Sequence, residues 1–305
     1  MRALRIHAQG GAQSLVYESA PPPLLGTGDV MVAVRAASYT PGELDWPSTW
    51  VDRSGHDRAP IIPCHEVSGV VTEIGFGASG FEVGDEVYGL TDWYRDGGAA
   101  ELVAVEARNL APRPRSIDHV ATSTLPLAGL TAWQALFRHG RLERGENVLV
   151  LGAGGGVGNL AVQLAHDAGG NVTAAGRPRD KAAVLDAGAC AFVDLAHEPL
   201  PDPGEIALVV DCVGGDFARM VTVGLGSEVT VVSIVDPVVP ETLGPRRTFF
   251  VVEPDRGTLT ELTRMVDAGR LRTRAGSSAS VERGRDLLLA KDGGDIAGKV
   301  SLRVS

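Results

Sequence analysis

Short apolar runs broken by glycine and proline fill the first third of the chain. "VMVAVRAAS" (Val30 to Ser38), "VSGVVTEIG" (Val67 to Gly75), "GDEVYGL" (Gly84 to Leu90) and "AAELVAVEA" (Ala99 to Ala107) are each bounded by turn residues, the pattern of an antiparallel β domain. "APRPR" (Ala111 to Arg115) interrupts it, and the spacing then changes. "LPLAGLTAWQALFRHGRL" places apolar residues three and four apart and predicts a helix. From Glu146 strands and helices alternate. "ENVLVLG" predicts a buried strand, "GGVGNLAVQLAHDAG" a helix closed by Gly169, and "NVTAAG" a second strand. "RDKAAVLDAG" predicts a short helix ending at Gly188, and "ACAFVDL" a third strand. "IALVVDCVG" and "VTVVSIV" follow as strands, and "EPDRGTLTELTRMVDAGR" as a helix with Asp255 as N-cap and Gly269 as its stop. Apolar strands alternating with helices imply a parallel sheet covered on both faces. The tail "GKVSLRV" alternates again and is predicted to rejoin the β domain. The fold class is therefore α/β, with a doubly wound parallel-sheet domain (115–271) inserted in an antiparallel β domain (1–114 and 272–305).

Composition narrows the class. A chain of 305 residues is long for one core, which agrees with two domains. Hydrophobic content of 44% with 22% charged residues is ordinary for a soluble globular protein. A net charge of -10 argues against nucleic acid or an anionic membrane as the main partner. It leaves room for a phosphate in a local basic pocket. No apolar run approaches the roughly 20 residues that cross a bilayer. The start, "MRALRIHAQGG", reads as a strand into a turn rather than a signal peptide. Three cysteines, Cys64, Cys190 and Cys212, lie far apart with no C-x-x-C, as expected of a reducing cytoplasm. Only Lys181, Lys291 and Lys299 are lysines; the other basic residues are arginines.

The loop "LGAGGGVGNLA" carries the most informative chemistry. Gly152, Gly155 and Gly158 are spaced G-x-x-G-x-x-G between a strand and a helix, with Gly156 and Val157 between the last two. A helix start presents unpaired backbone N–H groups, and glycine lets a pyrophosphate approach them. The preceding strand, the following helix and the next strand fall in the order that the dinucleotide fingerprint requires. An NAD site usually ends its second strand with Asp or Glu, which accepts from the ribose hydroxyls. Here Gly176 stands in that place, followed by Arg177, Arg179 and Lys181. A guanidinium clasps a 2′-phosphate that a carboxylate would repel, so the expected cofactor is NADPH. The alternative is a solvated, basic helix start, although cations oppose the dipole there.

Taken together, the His-Glu pair in "IIPCHEVSGVV", "GFEVGDEVYGL", "LPLAGLTAWQAL", "VLVLGAGGGVGNLAVQLA" and "GKVSLRV" resemble the medium-chain dehydrogenase/reductase superfamily, most closely its zinc-free quinone oxidoreductase branch. The resemblance spans Met1 to Val304. It implies a GroES-like β domain joined to a Rossmann domain. It also implies NADPH-dependent reduction of quinones, enones or enoyl thioesters by a homodimer paired through Rossmann edge strands, here expected at "VTVVSIV". By motif, Thr131 would lie near the nicotinamide, and Val157 beneath it or the pyrophosphate. Cys212, Val213 and the segment around Ile234 would line the cofactor groove, and Phe249, Phe250 and Val251 would meet the carboxamide side. Ordinary core packing is the alternative for these apolar residues.

Zinc-dependent relatives take a Cys after the early strand, the His of the His-Glu pair, and a later Cys or Asp. In this chain the early segment is "RAASYTPGELDW", without a thiolate, and no cysteine lies between Cys64 and Cys190. Catalytic zinc needs three protein ligands, so no metal is expected. His65 then reads as a substrate contact, a core histidine or a relic. Cys64 replaces the glycine that usually precedes this pair and reads as a reactive thiol or a small buried hydrophobe. Without metal the acceptor must be polarised by hydrogen bonds. Tyr39 or Thr40 would supply the hydroxyl, with His65 nearby. Trp46, Trp50, Trp93 and Tyr94 are aromatic candidates for a flat substrate, or else loop anchors. The expected function is reduction of a quinone or α,β-unsaturated carbonyl. A nucleotide-binding protein with little catalysis is the alternative, and a zinc alcohol dehydrogenase a third reading.

Overall fold

The alternating runs of the first third become seven strands, β1 (Arg2–Ile6), β2 (Leu15–Ser19), β3 (Asp29–Tyr39), β4 (Glu66–Ile74), β5 (Glu86–Leu90), β6 (Leu102–Glu106) and β7 (Leu110–Pro112). The alternating strand-helix region contributes β8 (Asn147–Leu151), β9 (Asn171–Ala175), β10 (Ala191–Val193), β11 (Leu208–Asp211), β12 (Thr230–Ser233) and β13 (Arg247–Phe249). Near the end come β14 (Ala275–Ser280) and β15 (Lys299–Arg303). This is a computed structural model, and it describes residues 1–194, 197–198, 206–225, 228–235 and 246–304. Leu195, the last residue of the predicted "ACAFVDL" strand, lies outside them.

One unit comprises Met1–Leu127, Pro254–Ala268 and Thr273–Ser305. Its main sheet runs in the order β14-β15-β3-β4-β5-β7, with β6 also paired to β3. All pairs are antiparallel except β14 with β15. The tail rejoins this sheet as predicted, with Val300 opposite Tyr39 and Ser301 opposite Ser38. Ser38 in turn faces Glu66 on β4. Alternation puts Val30, Val32, Val34, Val67, Val71, Val87, Val300 and Leu302 into one buried cluster. The polar ends of β3, β4 and β15 are thereby brought side by side.

The second unit, Ala128–Glu253 with Gly269–Arg272, holds a six-stranded sheet in the order β10-β9-β8-β11-β12-β13. Every pair is parallel. Strand order therefore reverses at β8, and the crevice beyond its carboxyl end is where open α/β sheets bind ligands. The helix after β8 runs Gly156–Asp167, and Gly169, at φ 86°, closes it.

Three differences from the sequence reading have physical causes. β12, the "VTVVSIV" strand, is flanked by β11 and β13 and is no sheet edge; among the described residues the edges are β10 and β13. An apolar run shows that a strand is buried on both faces but not where it stands in the sheet. The helix Arg256–Asp267 belongs with the β unit, where Tyr88 donates its hydroxyl to Leu259 O at 2.7 Å and Thr263 donates to Pro112 O at 2.9 Å. The helix predicted from Leu125 is α-helical over Pro126–Trp133 and then widens to a π turn over Gln134–His139. In that turn Gly140 N–H reaches back to Ala135 O.

Candidate active site

The dinucleotide loop is built as its spacing requires. Gly152 sits at φ 76°, and a Cβ on Gly158 would stand 2.3 Å from Gly152 O, so a side chain is barred there. The helix starts at N-cap Gly155 without a side-chain cap. The first-turn N–H groups of Gly156, Val157 and Gly158 have no intrahelical acceptor. They sit at the positive end of a helix of 12 residues.

At the ends of the neighbouring strands, Asp211 accepts from Val213 N–H and Gly214 N–H at 2.9 Å each, and from Ser233 Oγ at 2.8 Å. This carboxylate fixes the turn after β11. It thereby holds Val213 against Gly152, whose Cβ would lie 2.9 Å from the Val213 Cγ2. Burial pushes the Cys212 thiol up, with Asp211 adding to the shift, so it remains a thiol. Half-buried Ile234 donates its N–H to Asp211 O at 3.0 Å. Thus Cys212 and Val213 lie beside the glycine loop, and Ile234 is tied to the same turn through Asp211. Phe249 closes β13, Phe250 stacks on His139 with ring centroids 4.4 Å apart, and Val251 is exposed. Thr131 is buried in the Pro126–Trp133 helix.

Gly176 follows β9, and a Cβ there would be in ordinary contact with Phe192 Cε2 at 3.7 Å and Gly154 N at 3.8 Å. Arg177, Arg179 and Lys181 are exposed. Among the described residues none of the three pairs with a carboxylate; Lys181 lies over the Phe192 ring at 5.7 Å. A glycine corner and an uncapped helix start fit a nicotinamide dinucleotide.

The β unit carries a second cluster around the His-Glu pair. Cys64 has φ 72°, the left-handed region that glycine favours, at a cost of about 1–2 kcal/mol for a residue with a Cβ. The turn is held by hydrogen bonds from Cys64 N–H to Glu43 Oε1 at 2.5 Å and from Gly98 N–H to Cys64 O at 2.7 Å. The cysteine therefore keeps a glycine-like backbone. Burial raises its thiol well above the ordinary range, which argues against a reactive thiolate.

His65 is 3% exposed, and its Nδ1 lies 2.7 Å from Thr91 Oγ1. Its ring meets Trp93 edge-on at 5.2 Å, and Trp93 meets Trp46 at 5.3 Å. Burial, with the Arg58 charge adding, lowers the His65 pKa to about 3. The ring is neutral near pH 7 and holds no proton to give as an imidazolium. Trp50 donates its Nε1–H to Leu44 O at 2.6 Å and anchors its loop. Exposed Tyr94 lies under Arg53 at 4.8 Å.

Glu66 is 1% exposed and accepts from Leu127 N–H at 2.9 Å, from Thr40 Oγ1 at 3.3 Å, and from the Lys299 ammonium. Lys299, 8% exposed, also reaches Thr40 Oγ1 at 3.3 Å. Glu43 accepts from Thr40 N–H at 3.0 Å, and burial pushes its carboxyl up to about 8. Tyr39 is 1% exposed and gives its hydroxyl to Asp292 Oδ2 at 2.9 Å. Burial raises its pKa, with Glu43 and Asp292 adding to the shift. Of the three hydroxyl and imidazole candidates, Thr40 alone is only half-buried.

Residues 26–115 match the alcohol dehydrogenase GroES-like domain family. Over 226 residues the chain is 31% identical to a chloroplast envelope quinone oxidoreductase homolog of Arabidopsis thaliana, covering 70% of this chain and 69% of that relative. The chain is a medium-chain dehydrogenase/reductase. It falls in the quinone oxidoreductase-like branch. The chloroplastic NADPH-dependent alkenal/one oxidoreductase of Arabidopsis thaliana is 30% identical over 287 residues, 89% of this chain and 71% of that one. Alignments with two further plant relatives span 55% and 61% of their lengths. The fold matches the quinone oxidoreductase of Coxiella burnetii with a TM-score of 0.90 at 23% identity, covering 100% of this chain and 99% of that one.

Seen as a medium-chain dehydrogenase/reductase, the chain has a poor donor set for catalytic zinc. Among the described residues no three His, Cys, Asp or Glu side chains are grouped to hold a metal ion. In the early segment where zinc-dependent relatives carry a cysteine, Ser38, next to last in β3, donates to Val300 O at 2.9 Å. The sequence reading did not single out Glu43, Thr91, Asp292 or Lys299 for the site. For Lys299 a signal existed: one of three lysines in an arginine-rich chain, in an alternating tail.

Proposed function

We propose that the protein is an NADPH-dependent reductase of quinones or α,β-unsaturated carbonyls that works without catalytic zinc. The observation that carries this reading is the second-strand exit. Gly176 stands where an NAD site carries a carboxylate, and three exposed cations follow it without a carboxylate pairing any of them among the described residues. The two Arabidopsis relatives, named for quinone and for NADPH-dependent alkenal/one chemistry, support the same substrate class.

Bound NADPH supplies hydride from nicotinamide C4 to the electron-poor carbon of the acceptor. The chain's own residues bind, orient and shield. N–H groups of Gly156 to Gly158 take the pyrophosphate, and the Arg177 fork takes the 2′-phosphate. Asp211 holds the Cys212–Gly214 turn, which would line the cofactor groove. Half-buried Thr40, which accepts from Lys299, is the hydroxyl suited to donate to the developing enolate oxygen, its proton turning there from Glu66. Trp46 and Trp93, set edge to face beside neutral His65, offer an aromatic wall to a flat acceptor. Water supplies the final proton.

The reading includes a cytoplasmic homodimer. Three unpaired cysteines support the compartment, and among the described residues no helix is long and apolar enough to cross a membrane. Sheet pairing between copies would use β13 or β10 rather than β12. A panel of quinones, enones and enoyl thioesters assayed with NADPH tests the activity. Turnover of at least one class, reduced by Thr40→Val mainly in kcat, is the expected outcome. Cofactor binding without consumption across the panel would return the chain to a nucleotide-binding role.

A further inference from the structure

A carboxylate shares the corner that the 2′-phosphate reading assigns to cations. A Cβ built on Gly154 would meet Asp180 Cγ at 2.3 Å, Oδ2 at 2.4 Å and Cβ at 2.6 Å. The Asp180 carboxyl therefore lies against the bare Cα of Gly154, one residue before the N-cap of the dinucleotide helix. The same corner faces the second-strand exit, since a Cβ on Gly176 would lie 3.8 Å from Gly154 N. Asp180 closes the short 3-10 turn Pro178–Asp180, and its N–H bonds Arg177 O at 2.9 Å. Arg177, Arg179 and Asp180 thus share one turn, with opposite preferences for what sits beside them.

A carboxylate at a ribose accepts from free hydroxyls and repels a 2′-phosphate, while the guanidinium groups do the reverse. We propose that Asp180 is a cofactor-discriminating residue that works against the arginines: it weakens NADPH binding, supports NADH binding, and keeps the selectivity between the two modest. This rests on the NADPH reading above. It also gives Gly154 a reason beyond loop flexibility, because any side chain there would collide with the Asp180 carboxyl.

The test is direct binding to the full-length protein, by calorimetry or quenching of tryptophan fluorescence, with NADPH and NADH and with the fragments 2′,5′-ADP and 5′-AMP. Asp180→Asn is expected to raise the NADPH-to-NADH affinity ratio about fivefold or more, the scale of one screened like-charge contact. The ratio for 2′,5′-ADP over 5′-AMP should move the same way. Gly154→Ala, which forces the carboxyl aside without removing it, is expected to shift both ratios in the same direction. Circular dichroism and the unfolding midpoint check that each variant is folded. Ratios within twofold of the parent in folded Asp180→Asn overturn the proposal. Arg177→Ala separates the two levels. If it weakens NADPH while Asp180→Asn leaves the ratios unmoved, only the Asp180 role fails. If Arg177→Ala leaves NADPH binding intact, the NADPH reading fails and the proposal with it.

Discussion

Replacing Lys299 by methionine keeps the apolar stem and removes the ammonium that Glu66 accepts from inside the β unit. Glu66 is 1% exposed and would keep only Leu127 N–H at 2.9 Å and Thr40 Oγ1 at 3.3 Å. Breaking a buried pair from one side typically costs about 3–5 kcal/mol, because the remaining charge stays out of water without compensation. With a urea slope of about 1–3 kcal/mol per molar, the midpoint should fall by roughly 1–5 M. Tryptophan fluorescence reads the relevant unit: Trp46, Trp50 and Trp93 lie in it, and Trp133 lies in the other. Combining Glu66→Gln with Lys299→Met should recover at least half of the loss. Glutamine still accepts from Leu127 N–H but carries no charge. A single-variant loss below about 1 kcal/mol, the scale of an exposed pair, would refute the reasoning, as would a double variant no better than the sum of the two.

Three further outcomes follow from the same cluster. His65 stays neutral when folded, with a pKa of about 3, whereas the unfolded chain takes a proton through about 6.5. That contribution to stability is present above pH 6.5 and is lost as pH falls toward 3; His65→Gln should flatten the dependence of the urea midpoint between pH 7 and 5, and an unchanged slope would count against the buried neutral ring. Glu43 runs the other way. Its folded carboxyl holds a proton up to about pH 8, while the unfolded one ionises near 4.5, so stability falls as pH rises through that window, and Glu43→Gln should remove the slope. At Cys64, a β-branched residue suits φ 72° less well than cysteine does. Cys64→Val should therefore destabilise by about 1 kcal/mol or more relative to Cys64→Gly; equal midpoints would show that the turn relaxes.

The alternation of strands and helices and the glycine loop were legible because both are local. Period-two runs marked the β unit, and the alternation after Glu146 led to the parallel sheet; its reversal at β8 came only with the structure. The basic exit at Gly176 was legible for the same reason, since it lies within six residues of the second strand. Partners remote in sequence were not. Tyr39 finds Asp292, Glu66 finds Lys299, and Cys64 finds Glu43 through sheet register and turns that no spacing encodes. The burial of β12 on both faces reads the same at an edge as inside a sheet, so the dimer strand could not be chosen from it. Asp180 escaped notice because its approach to Gly154 comes from the packing of the turn after β9 against the glycine loop, which no spacing encodes.

Single-turnover stopped flow decides whether the chain passes hydride from NADPH to an acceptor without metal. The protein is dialysed against a chelator, its metal content is measured, and NADPH oxidation is followed at 340 nm after mixing with a quinone or enone. The account expects full-amplitude oxidation with less than about 0.1 zinc per chain, set against the three-ligand site that a catalytic zinc requires. Oxidation that disappears on chelation and returns with added zinc would contradict it.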